Sequence, residues 1–80
     1  MIHARKDYNR IQDPSGLIPE NEPVFLIRAK DKVGAHTVRM WAVFAKSAGA
    51  SKAIIGAALD QAEKMEAWPE HQIPDMPEGE

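Results

Sequence analysis

The chain has 80 residues, 44% of them apolar, with no cysteine and a formal net charge of -2. A chain this short buries only about 60–65% of the surface its unfolded form exposes, so its core is thin, and neither a disulfide framework nor a thiolate zinc site is on hand to compensate. Charge is unevenly divided: eight Lys or Arg against five Asp or Glu over residues 1–46 give +3, and two against seven over 47–80 give -5, a basic excess too small for a dedicated nucleic-acid-binding domain.

In chain order, Met1 to Arg10 carries charge where a secretory leader would be apolar, and no apolar run approaches the roughly 20 residues needed to cross a bilayer. A soluble, intracellular chain is expected. Ile2 and Ala4 suit an extended start, while Tyr8 and Ile11 are three apart and share one face of a single helical turn. Asp13-Pro14-Ser15-Gly16 has turn chemistry: Asp accepts from the backbone ahead of it, Pro fixes φ and Gly tolerates positive φ. Pro19 and Pro23 bracket a loop that leads into Val24–Ile27, four apolar residues followed at once by charge.

A strand is expected over 24–30. Its unbroken apolar run suggests burial on both faces, and its backbone groups need partners. Within the chain only residues 2–6 or 16–19 are candidates, and both are poor strands. Pairing with the same strand of a second copy is the alternative, so a homo-oligomer, a dimer first, is expected.

Val38, Trp41, Ala42, Ala45 and Ala48 have helical spacing, with Met40, Val43 and Phe44 widening the stripe, so a helix over 35–48 should make contacts on two sides. Thr37 or Gly34 is expected to cap its start, and Gly49 suits a left-handed stop. Ser51 then caps a helix over 51–68, with Ile54, Ile55, Ala58, Leu59, Ala62, Met65 and Trp68 in one stripe and Pro69 at its end. The expected fold is α+β, mainly α: an extended N-terminal segment (1–23), one short strand (24–30), an antiparallel αα-hairpin and a flexible, acidic, proline-rich tail (69–80), with 1–68 as a single small domain.

Few residues suggest chemistry. His3, His36 and His71 lack metal-ligand spacing. Ser15, Ser47 and Ser51 lack a nucleophile elbow, and the isolated glycines make no phosphate loop. Neither a catalytic residue, a metal nor a cofactor is expected, and the chain is read as no enzyme. Alternate residues of an extended segment point the same way, so Arg28, Lys30 and Lys32 would line one side of the strand and, with Arg39 near a helix N-terminus, form an anion site. Arg5, Tyr8 and Arg10 make a second basic group around an aromatic. The competing explanation is that Lys30 and Lys32 protect an edge strand and that Arg28 pairs with an acid. Phe25, Ile27, Trp41 and Trp68 are the residues expected at a subunit or partner interface.

The strings Ala-Arg-Lys-Asp-Tyr-Asn-Arg-Ile-Gln-Asp-Pro (4–14), Ile-Pro-Glu-Asn-Glu-Pro-Val-Phe-Leu-Ile-Arg-Ala-Lys-Asp (18–31) and Met-Glu-Ala-Trp-Pro (65–69) resemble those of short bacteriophage- and prophage-encoded proteins. The likeness covers most of the chain and brings no catalytic residues with it. It implies a phage accessory protein in the host cytoplasm that acts by binding. The leading expectation is a host protein bound through exposed apolar residues of the helices and the acidic tail. The alternatives are sequestration of an anionic small molecule such as a cyclic signalling nucleotide, and weak DNA binding, which would be steeply salt-dependent.

Overall fold

The computed structural model describes residues 1–11 and 13–76. Two compact units are distinguished, one of Met1–Leu26 with the segment from Asp75, the other of Ile27–Pro74. The protein is mainly helical with a short strand pair.

In the first unit, β1 (Ile2–His3) and β2 (Pro23–Val24) pair in parallel, Ile2 opposite Pro23 and His3 opposite Val24. The Ile2 amide also donates to the Glu22 carbonyl at 2.7 Å. Parallel strands need a crossover of a dozen residues or more, and residues 4–22 supply it. Among the described residues they contain a 3-10 turn at Lys6–Tyr8 and the turn at Asp13–Gly16, where the Gly16 amide donates to the Asp13 carbonyl at 3.1 Å. Gly16 has φ +65°, which explains glycine there. The Asp13 carboxylate accepts from the Ile18 amide at 2.7 Å, so Asp13 closes the turn from both its backbone and its side chain.

The expected strand over 24–30 is therefore corrected: extended pairing ends at Val24, and its partner is in the same chain. Over 28–31 the physical reason lies in Asp31. Its amide donates to the Arg28 carbonyl at 3.0 Å and its carboxylate accepts from the Arg28 amide at 3.4 Å, a local alternative that short polar side chains offer the backbone in place of a ladder. This segment therefore does not require a second copy for its pairing.

In the second unit, α1 (Gly34–Ser47) and α2 (Lys52–Glu66) pack on each other in a hairpin-like pair. α1 lacks the expected side-chain cap. Thr37 instead donates its hydroxyl back to the Val33 carbonyl at 2.7 Å. The stop is as expected: Gly49 has φ +90°, its amide donates to the Lys46 carbonyl, and the Ala50 amide donates to the Ala45 carbonyl at 2.9 Å, the paired bonds of a Schellman motif. Ser51 caps α2 by accepting from the Ile54 amide.

The tail after α2 is also corrected in part. Gln72 forms a parallel bridge with Asp31: its amide donates to the Lys30 carbonyl at 2.8 Å and its carbonyl accepts from the Lys32 amide at 2.7 Å. The chain beyond Pro69 is thus pinned at Gln72, whereas Pro77, Glu78 and Glu80 lie outside the described residues.

The buried apolar residues among those described are Ala42, Ala62 and Met65, and none is a large side chain fully withdrawn from solvent. Gly34, also buried, marks the tightest approach. A β-carbon there would stand 2.5 Å from the Arg28 carbonyl oxygen and 3.3 Å from Cε of Met65. That carbonyl is fixed by the Asp31 amide, so it has little room to retreat. Gly34→Ala should lower the unfolding free energy by about 1–3 kcal/mol through overpacking, seen as a lower urea midpoint at unchanged slope. Gly56→Ala, inside α2 with no atom within 4 Å of the added carbon, should raise it by up to about 1 kcal/mol on helix propensity.

Candidate interaction surface

α1 carries two apolar faces. Ala35, Val38, Ala42 and Ala45 recur at helical spacing and are buried or half-buried toward α2. Opposite them, Met40, Val43 and Phe44 stand at i, i+3 and i+4, with exposures of 40%, 58% and 66%. Trp41 borders this outward face and is half exposed, while His36 and Ser47 continue it toward the two ends. α1 contains no acid, and its two cations, Arg39 and Lys46, lie off the outward face. Scattered exposed apolar residues need no explanation, but a contiguous patch of several hundred Å² marks an interaction site.

Arg39 is drawn to α2. Its guanidinium donates to the Glu66 carboxylate at 2.7 Å in a solvent-exposed ion pair. The hydrogen bond from Arg39, and then its charge, hold the Glu66 carboxyl below the ordinary range, and the Glu66 hydrogen bond raises Arg39 in return. His71 places Nε2 3.3 Å from the Glu66 carbonyl at the end of α2.

In the second unit Arg28, Lys30 and Lys32 are not aligned along one strand. Arg28 is exposed and belongs to the Asp31-closed turn, Lys30 is half-buried, and Lys32 is exposed beside the Gln72 bridge. With no strand over 28–32, the alternation that would align the three is lost, and Arg39 is engaged by Glu66. In the first unit the Arg5 guanidinium lies 4.5 Å from the centre of the Tyr8 ring. It also donates two bonds to the Asp7 carboxylate, at 3.0 and 2.6 Å, and one to the Asp75 carbonyl at 2.9 Å. Tyr8 is half-buried and Arg10 exposed. Arg5 thus serves its own unit as a structural fork.

Of the expected interface residues, Trp41 and Trp68 are half exposed and Phe25 is 75% exposed. Ile27 is half-buried, with Cγ2 3.4 Å from where a Gly34 β-carbon would stand, so its own chain claims it. The residues that dominate the outward face of α1 entered the sequence reading only as a widening of the stripe. Their signal was the absence of any charge between Arg39 and Lys46.

A hollow of about 260 Å³ in the first unit is lined by residues including His3, Asp13, Ile18 and Val24. Both His3 ring nitrogens are buried without a hydrogen-bond partner among the described residues. The hollow is smaller than ordinary ligand pockets of roughly 300–1,000 Å³, and its carboxylate, Asp13, already accepts from Ile18. Among the described residues no group of His, Asp or Glu could hold a metal ion, and no helix is long and apolar enough to cross a membrane.

Comparison with protein-family models, with curated proteins and with solved structures finds no match to this chain.

The Arg39–Glu66 pair makes stability depend on pH. Because the folded state lowers the Glu66 carboxyl below its unfolded value, the pair's contribution is complete above about pH 4.3, the ordinary glutamate value. It is lost as pH falls through the depressed folded value. Urea midpoints of the unaltered chain and of Glu66→Gln should differ at pH 7 and converge in acid.

Proposed function

We propose that the protein is a non-enzymatic interaction module that binds another polypeptide through the outward face of α1. The observation that carries this reading is the exposure of Phe44, Val43 and Met40 at helical spacing, opposite the face already packed on α2 and without a charge among them. An amphipathic helix laying such a face against a partner is a recurring recognition mode, read as anchors at i, i+3, i+4 and i+7. Aromatic residues and methionine are the types enriched at interface centres, where charged residues are depleted.

In this reading α1 and α2 run antiparallel, so that α2 backs the working face along its length. The Arg39–Glu66 pair and the nearness of Gly34 to Met65 support that direction, since both join the first half of α1 to the end of α2. The short link at 48–51, closed by the Schellman bonds at Gly49 and Ala50, supports it as well.

The test is site-specific photo-crosslinking in the cells that make the protein. A benzoylphenylalanine at Phe44 or Met40 should give a discrete adduct with a defined polypeptide, and one at Lys64, on the charged surface of α2, should not. Absence of any adduct at positions 40 and 44, or identical adducts at all three positions, would remove the proposal.

A further inference from the structure

We infer that residues 69–74 form a latch on the second unit, one that opens by itself while α1 and α2 stay paired, and that its closed state orders the start of α1. The latch is the chain that returns from the end of α2. Among the described residues its backbone is tied to the unit through Gln72, whose amide donates to the Lys30 carbonyl at 2.8 Å and whose carbonyl accepts from the Lys32 amide at 2.7 Å.

Two features make this grip weak. A parallel ladder would next be extended by an amide at position 74 donating to the Lys32 carbonyl. Pro74 has no amide to give, so pairing stops at one residue. Burial adds little, since every residue from Pro69 to Pro74 is exposed, Ile73 by 76%. His71 adds a longer contact at the root of the latch, with Nε2 3.3 Å from the Glu66 carbonyl. Opening exchanges the two Gln72 bonds for bonds to water, and each such exchange moves an equilibrium by only about two- to tenfold. Segments with few buried apolar contacts open locally, without global unfolding.

The place it grips gives the latch its effect. α1 has neither a side-chain cap nor an acid in its first turn, two devices that ordinarily fix a helix start. Its start is built instead from successive turns, the Asp31 amide donating to the Arg28 carbonyl and the Gly34 amide to the Asp31 carbonyl at 2.8 Å. Lys30 and Lys32, the two residues that Gln72 holds, flank Asp31 in those turns. The Thr37 amide then donates to the Val33 carbonyl at 2.9 Å and begins the helical ladder.

The experiment is residue-resolved amide hydrogen exchange by NMR, on the unaltered chain and on Gln72→Pro, which lacks the donor to Lys30. In the unaltered chain the Lys32 and Gln72 amides should be protected, yet at least about tenfold less than those of Ala42 and Ala62. Dilute urea should speed exchange at Ala42 and Ala62 and leave Lys32 and Gln72 unchanged. In Gln72→Pro, protection at Lys32 should fall about tenfold and protection at Thr37 should fall with it, while Ala42 and Ala62 keep theirs. Gln72→Ala, which retains both backbone bonds, should match the unaltered chain. A Lys32 amide as protected as that of Ala42, with the same response to urea, overturns the inference, because the segment would then open only when the whole unit unfolds. An unprotected Lys32 amide in the unaltered chain overturns it too, since no closed state would exist. Unchanged Thr37 protection in Gln72→Pro removes the link to α1. Loss of helicity in Gln72→Pro, read by circular dichroism, is equally fatal, because a latch is dispensable to the helix pair it closes.

Discussion

The structure depends on how closely α1 and α2 approach. The seam between them is filled by small residues, with Ala42 and Ala62 buried, Ala35, Ala45 and Ala58 half-buried, and Gly34 set against the Arg28 carbonyl. Small residues let two helix axes come near, but each contributes little apolar area, and hydrophobic stabilisation scales with area removed from water at about 25 cal/mol per Å². Among the described residues Met65 is the one larger side chain buried in the seam. The close fit therefore leaves the larger apolar residues of α1 on the other side of the helix.

That arrangement explains why polar interactions gather at the edges of the helix pair. Arg39 and Glu66 face each other across the helices in solvent, and the Gln72 bridge ties the returning chain to Lys30 and Lys32. Exposed ion pairs contribute little by themselves. Their effect on the candidate surface is positional, because Arg39 is drawn toward Glu66 and away from Met40 and Phe44. What remains outward on α1 is a face of aromatic, thioether and branched aliphatic groups, chemistry suited to burial against a polypeptide and unsuited to holding an anion.

The first unit is organised by different means. Its two-residue parallel strands are too short to account for its order, and turn chemistry does more: the Asp13 side chain and carbonyl close the Asp13–Gly16 turn, and Arg5 joins Tyr8, Asp7 and the Asp75 carbonyl. A guanidinium can do this because its donors are fixed in one plane while its face stays free to stack. Arg5 and Tyr8, grouped with Arg10 in the sequence as a basic set around an aromatic, meet each other in the structure. Both rings and forks recognise what is nearest, and here that is the chain itself.

Local chemistry alone decided several features. Gly49 and Ser51 stop one helix and start the next because a left-handed residue and a hydroxyl acceptor are required within a few positions, and Asp13 with Gly16 makes a turn in the same way. The periodicity of α1 and α2, and the excess breadth of the α1 stripe, were likewise legible, since they depend only on spacing along a helix. Only tertiary structure decided that Val24 pairs with His3 in parallel, that Asp31 bends 28–31 out of the strand, and that Gln72 returns to it. These rest on contacts between residues distant in sequence or on competition between a side chain and a ladder, which no local pattern records. The same holds for which half of the broad α1 stripe is covered: spacing shows that the helix has two apolar faces, and only packing against the alanines of α2 determines that Phe44 and Met40 are on the open one.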